Sequence, residues 1–336
     1  MPRVYVYDPT ALDSLSSVRG VGRYLQILKE SLPNATFGTD FSKASNHEIF
    51  INPFFNVASG PLIKSRIARR QIAVIHDVIP LLYPEHFPLG IRGKFNLALN
   101  KASLRLYDQI ITDSQKSKND LVRVLKIKPE KIQVLYPAVS KAFFNPTTAN
   151  HQEIKVPDKY CLYVGDATWN KNLVTTAQAV IISDLPCVFV GKIFVQESRP
   201  LTHPWQSELR RFLTVTKDNP QFIFPGFITD EALTTLYKNA VCNILISRDE
   251  GFGYSYFEAA SQKTPSILSS IPVFKETARN TALFVPVDDA EAVADAIVKL
   301  SKNNALRKKL GQAAEKNTKK ASPEEFKKSL ITLLSA

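Results

Sequence analysis

Glu250 and Glu258 flank the turn Gly251-Phe252-Gly253, with seven residues between the two carboxylates. The run 241–246, Val-Cys-Asn-Ile-Leu-Ile, is short and apolar, as a buried strand should be, and 256–262 reads as the start of a helix. A glycine turn between strand and helix aims backbone N–H groups outward and adds the positive end of a helix dipole. Glycine also lets a phosphate or a sugar approach the main chain closely. With one carboxylate before the turn and one in the helix to accept hydroxyl protons, the pattern suits a polyol joined to a diphosphate. An isolated pair of this spacing fits two solvated surface charges equally well, so the neighbouring segments decide.

The segment 163–173, Tyr-Val-Gly-Asp-Ala-Thr-Trp-Asn-Lys-Asn-Leu, again runs from strand through loop to helix, with Gly165 at the strand end and Asn172 beside Lys171. A lysine there can reach a diphosphate as a flexible point charge. The segment 72–81 is an apolar strand ending in His76-Asp77. His76 can hydrogen-bond a sugar hydroxyl, and Asp77 is expected to orient its ring. The segment 17–24, Ser-Val-Arg-Gly-Val-Gly-Arg-Tyr, is a poor dinucleotide fingerprint, because Leu25 stands at the third glycine position. Breaking a bond to a diphosphate requires neutralisation of developing negative charge. The chain contains no Asp-x-Asp motif. Lys171 and backbone amides are therefore expected to neutralise that charge, with no metal and no cofactor.

Short apolar runs alternate with amphipathic stretches along all 336 residues, which predicts an α/β chain with parallel sheets. Helices are expected at 22–31, 92–106, 114–125 and 173–182, and at further amphipathic stretches beyond. Expected boundaries are 1–145 for an N-terminal domain, 146–158 for a polar linker, 159–320 for a C-terminal domain and 321–336 for a helix crossing back onto the first domain. Cys161, Cys187 and Cys242 lie far apart in apolar contexts, as reduced core residues of a cytoplasmic protein do. The net charge of +12 is uneven: residues 1–150 hold 20 Lys+Arg against 11 Asp+Glu. A positive first half suits an anionic membrane surface or a lipid phosphate. A nucleic-acid partner is not expected, since no binding motif or aromatic–basic stripe accompanies the charge.

These segments resemble retaining glycosyltransferases of family four. The matching pieces are Phe224-Pro225-Gly226-Phe227-Ile228, 236–240, 247–253, Phe257-Glu258-Ala259-Ala260 and Thr264-Pro265, together with His76-Asp77 and Gly20-Val21-Gly22-Arg23-Tyr24. Departures are Asn170 for the Arg of an Arg-Lys-Asn run, Lys263 for a Gly before Thr264, and Ile246 for a Pro. The resemblance implies the GT-B fold, two Rossmann-like domains facing each other across a cleft. It implies a nucleotide-diphospho-sugar donor, with Glu250 on the sugar, Glu258 on the ribose and Lys171 on the diphosphate. Gly251, Phe252 and Gly253 would offer backbone amides; Gly226, Phe227 and Ile228 would border the base. Gly165 and Asn172 belong to the phosphate loop, His76 would face the donor sugar, and Gly22 and Arg23 would border the phosphates. The segment from His76 to Pro80 points to GDP-mannose, and the positive first half to a glycan or lipid-linked acceptor at the inner face of the cell membrane. Alternatives are a UDP- or dTDP-sugar donor, and a partner subunit that lost its donor through Asn170.

Overall fold

The central apolar runs form strands that are buried on both faces, because helices cover both sides of parallel sheets. The computed structural model describes residues 2–11, 20–144, 154–195 and 201–335. The chain divides into two compact units, Met1–Ala138 with Lys320–Ala336, and Val139–Lys319. Residues 17–19 of the first glycine segment, and 146–153 of the expected linker, lie outside the described residues.

The first unit runs β1 (Val4–Tyr7), α1 (Gly20–Ser31), β2 (Thr36–Gly38), β3 (Ile49–Asn52), β4 (Arg70–Val74), α2 (Ile79–Leu82), α3 (Gly90–Ser103), β5 (Gln109–Thr112), α4 (Gln115–Asp120) and β6 (Ile132–Val134). Its six strands lie in the order β2-β1-β3-β4-β5-β6, and every pairing is parallel. Tyr24, Leu25 and Leu28 of α1 pack on β1, β3 and β4 together with Phe326, Leu330 and Leu334 of the C-terminal helix. Arg70 donates to the carbonyls of Leu333 and Leu334, satisfying acceptors that a helix end leaves open.

The second unit contains β7 (Cys161–Val164), α5 (Leu173–Ser183), β8 (Cys187–Val190), α6 (Ser207–Thr216), β9 (Phe222–Gly226), α7 (Asp230–Asn239), β10 (Cys242–Leu245), α8 (Tyr254–Ser261), β11 (Ser266–Ser269), α9 (Pro272–Thr277), β12 (Leu283–Val285), α10 (Ala290–Lys302) and α11 (Asn304–Asn317); α12 (Pro323–Ser335) belongs to the first. The strand order is β12-β11-β10-β7-β8-β9, again all parallel. This is the doubly wound order in which the chain reverses direction between the first and fourth strands, here β7 and β10. Cys242, Cys161 and Cys187 stand side by side across β10, β7 and β8, fully buried and free. Burial pushes the Cys161 and Cys187 thiols up, so they behave as small core residues.

Several elements differ from the periodic pattern. The edge strand β2 and the six-residue α9 are too short to carry a period. The helix expected at 114–125 is α4 followed by a π-helical turn, Leu121–Leu125, which ends in left-handed Lys126. The second unit begins at Val139, because Phe143 packs with Tyr160 and Tyr237 in its core and its carbonyl accepts Gln262 Nε2 at 2.6 Å.

Lys263, where the resembled family has glycine, closes α8 in the left-handed region with φ of 59°. A side chain there is strained, and Gly relieves it. Directly above it, a Cβ on Gly311 of α11 would sit 1.9 Å from the Lys263 carbonyl oxygen. Lys263→Gly is expected to stabilise the protein by about 1 kcal/mol. Gly311→Ala is expected to destabilise it by roughly 1–3 kcal/mol although alanine is the better helix former. Thermal midpoints of the two variants check both signs.

Candidate functional site

In open parallel sheets, ligands bind beyond the carboxyl ends of the strands at the point where strand order reverses. The loops after β7 and β10 both end there. Lys171 leaves the β7 loop and Glu250 the β10 loop, and Lys171 Nζ lies 2.6 Å from Glu250 Oε1. Ser247 Oγ donates to the same oxygen at 2.7 Å. The side chains are 20% and 9% exposed, so the pair sits where water screens it weakly.

Asn170 is 5% exposed and its polar groups are used to join the two loops. Its Nδ2 donates to the Asp249 carbonyl at 3.0 Å, and its carbonyl accepts the Arg248 amide at 2.7 Å. Thr168 Oγ1 donates to its Oδ1 at 2.8 Å. Arg248 adds a second tie, donating to the Trp169 carbonyl at 2.7 Å with its guanidinium over the indole at 5.1 Å. Asn172 is fully buried at φ of 57°, with its Nδ2 donating to the Ile246 carbonyl at 3.2 Å. Both asparagines thus hold the frame that presents Lys171. Reading the sequence alone casts Asn170 as a lost phosphate contact; the structure shows it as a loop clamp.

The glycine turn opens α8. Gly253 has φ of +93°, and a Cβ there would lie 2.7 Å from Phe274 Cε1. Phe252 is buried and stacked on Phe257 with centroids 4.7 Å apart. Glu258 lies inside the unit at 2% exposure, where Tyr237 Oη donates to its Oε2 at 2.9 Å. In the first turn of α8, Ser255 Oγ is buried and makes no hydrogen bond to the described residues. Gly165, Gly191 and Gly226 end β7, β8 and β9 as a ledge of main chain: the Gly191 amide donates to Gly226 at 3.2 Å, and a Cβ on Gly191 would meet the Gly165 carbonyl at 2.5 Å. Next along the chain, Phe227 is 52% exposed while Ile228 is in the core.

His76, Gly22 and Arg23 belong to the first unit. His76 follows β4 and Asp113 follows its neighbour β5; Nδ1 of the imidazole lies 2.9 Å from Asp113 Oδ2. Asp113, not Asp77, orients the ring, while Asp77 Oδ1 accepts the Ile79 amide at 3.0 Å. Tyr24 packs edge-on against the imidazole at 4.8 Å. His76 Nε2 is buried without a hydrogen bond among the described residues. Burial lowers the His76 pKa, but the charge and hydrogen bond of Asp113, then Asp77 and the Pro53 carbonyl, outweigh it, and the net shift is upward. Gly22 and Arg23 lie in the first turns of α1, Gly22 buried and Arg23 half-buried. Sequence reasoning missed Ser247, Tyr237 and Asp113, which are revealed only by their contacts with Glu250, Glu258 and His76, and the buried Ser255 Oγ.

The profile described as glycosyl transferases group 1 matches residues 145–317, and that of glycosyltransferase family 4 matches residues 50–143. The chain belongs to the group 1, family 4 glycosyltransferases. It is 27% identical over 234 residues to the O-antigen chain mannosyltransferase RfbU of Salmonella typhimurium, covering 69% of this chain and 61% of that protein. It is 40% identical over 234 residues to the serotype-specific mannosyltransferase WbdA of Escherichia coli, covering 65% of this chain and 28% of that protein. The chain therefore spans less than two thirds of these relatives' own length. Its fold is GT-B. The crystal structure of Anabaena HepE in complex with UDP and glucose superposes with a TM-score of 0.75 at 13% identity, covering all of both chains.

Within this glycosyltransferase the His76–Asp113 pair has a testable pH signature. A histidine whose folded pKa is raised stabilises the fold fully below its unfolded value of about 6.5 and loses that contribution as pH rises through the folded pKa. The thermal-midpoint gap between wild type and Asp113→Asn is therefore expected to be widest in mildly acidic buffer and to narrow on alkalinisation. A gap that does not change with pH refutes the charge pairing.

Proposed function

We propose that the chain is a retaining mannosyltransferase that takes GDP-mannose as donor and a glycan or lipid-linked acceptor, without a metal ion. One observation carries this reading: Lys171, Glu250 and Ser247 converge at the reversal of strand order, beside the first turn of α8. That position joins a cation and helix-terminal amides for a diphosphate to a carboxylate for sugar hydroxyls. The curated relatives RfbU and WbdA are both named as mannosyltransferases, which favours mannose and a role in polysaccharide biosynthesis.

In the proposed reaction the acceptor oxygen bonds to the anomeric carbon on the face from which the diphosphate leaves. The bond from that carbon to the phosphate oxygen breaks, and the leaving phosphate takes the acceptor's proton. Lys171 and the amides of 251–253 stabilise the charge that develops on the phosphate. Glu250 holds sugar hydroxyls, and Phe227 offers an exposed ring to the base. The buried Glu258 keeps one oxygen on Tyr237, so its role toward the ribose requires the other.

Lys171→Met is expected to lower kcat/KM by about 100- to 1,000-fold. It also leaves the Glu250 charge buried and unpaired, at a stability cost of roughly 3–5 kcal/mol. The double variant Lys171→Met/Glu250→Gln removes both charges and should recover stability without activity. An active double variant overturns the site. Donor choice is read by thermal shift against GDP-, UDP-, dTDP- and ADP-sugars. Selective stabilisation by GDP-mannose, unchanged by EDTA, is expected; stabilisation by a different sugar nucleotide overturns the donor assignment, and metal dependence overturns the metal-free mechanism.

A further inference from the structure

Helix α3 is built inside out. Its polar side chains hold it to the protein: Asn96 Nδ2 donates to the Ala58 carbonyl at 2.9 Å, and Asn100 Nδ2 to the Ser59 carbonyl at 2.6 Å. Asn100 is 2% exposed, and Gly93 and Ser103 are buried with it. Leu97 packs on the core, but the other three large apolar side chains of α3 point the other way. Ile91 is 90% exposed, Phe95 63% and Leu99 40%. Four-residue spacing puts these three in one stripe along the helix. A helix on the surface of a protein in water normally shows the reverse arrangement.

Cations border the stripe. At about 100° per residue, Arg92 falls on one edge and Lys94 and Lys101 on the other. All three are exposed. From 87 to 107 the chain has four Lys+Arg residues and no Asp or Glu.

Charge and shape together select the occupant. A nucleic acid would use the cations but leave the apolar stripe in water, since phosphate binding draws on Lys and Arg alone. A second copy laid on the same face would bring like charges together along both edges. An anionic lipid surface satisfies both: the apolar side chains sink about 5–10 Å into the boundary between headgroups and acyl chains. The lysine and arginine stems extend along the apolar surface with their charges at the phosphates. Among the described residues no helix is long and apolar enough to cross a membrane, so the contact is one of docking.

We propose that α3 docks the protein on an anionic lipid surface, with Ile91, Phe95 and Leu99 entering the acyl boundary and Arg92, Lys94 and Lys101 on the headgroup phosphates. This deepens the reading of a lipid-linked acceptor, but its flotation test uses neither donor nor acceptor. The full chain is floated with vesicles of phosphatidylcholine alone or mixed with phosphatidylglycerol. Wild type is expected to float only with the anionic vesicles. The triple variant Ile91→Ser/Phe95→Ser/Leu99→Ser is expected to bind them about tenfold more weakly or worse, with an unchanged or higher thermal midpoint.

Equal flotation of wild type and the serine variant overturns the proposal. So does a wild-type dimer in sedimentation velocity that the serine variant lacks, which would make the stripe a contact between copies. Phe95→Trp gives an independent reading should the triple variant fold poorly. Its emission is expected to shift to the blue on adding anionic vesicles, and no shift overturns insertion. Donor-induced thermal shifts measured without vesicles should be the same for wild type and the serine variant, so failure of the donor reading and failure of membrane docking are separately visible.

Discussion

The contact between Lys171 Nζ and Glu250 Oε1 constrains the loops that follow β7 and β10 in the second unit. Two charges largely withdrawn from water are tolerable only if they stay together, because either alone carries a desolvation penalty of several kcal/mol. The loops that carry them must therefore be fixed against each other. Asn170, Asn172 and Arg248 do this from side chain to main chain across the ends of β7 and β10. These ties also explain why polar residues sit buried beside the proposed donor site: each makes a hydrogen bond within the frame.

The same constraint recurs in the first unit with different residues. His76 is held through Nδ1 by Asp113 across neighbouring strands, which fixes the ring with Nε2 buried. A carboxylate fixes both the ring orientation and which nitrogen carries the proton toward it. In each unit, then, a titratable side chain at a carboxyl strand end is oriented by a partner on the adjacent strand end. The parallel sheet makes this possible, since all its strands deliver their loops to one edge.

Much of this was legible in the chain. Strand–loop–helix units are local, and Gly251, Gly253, Lys171 and Glu250 announced their place at strand-to-helix junctions through residue type and distance from an apolar run. The roles of Asn170 and Asp113 were not legible. Asn170 reads as a missing arginine until its hydrogen bond to Asp249, 79 residues away, is seen. Asp77 is the nearer carboxylate in sequence, yet Asp113, 37 residues on, reaches His76 because β5 lies beside β4. The left-handed turn at Lys263 was visible only as an absent glycine; its reason, the close of α8 under Gly311, is a matter of packing.

The sequence by itself determined that this is an α/β chain with a basic first half and a cation, two carboxylates and a glycine turn at strand-to-helix junctions. Periodicity and turn residues act over a few neighbouring positions, so they fix local backbone and which positions are apolar. The tertiary structure alone decided which charges meet, which carboxylate serves His76, and that α3 faces the protein with its asparagines and the solvent with Ile91 and Phe95. Those outcomes depend on the order of strands in each sheet and on the carbonyls left open by distant loops, and no local pattern encodes either.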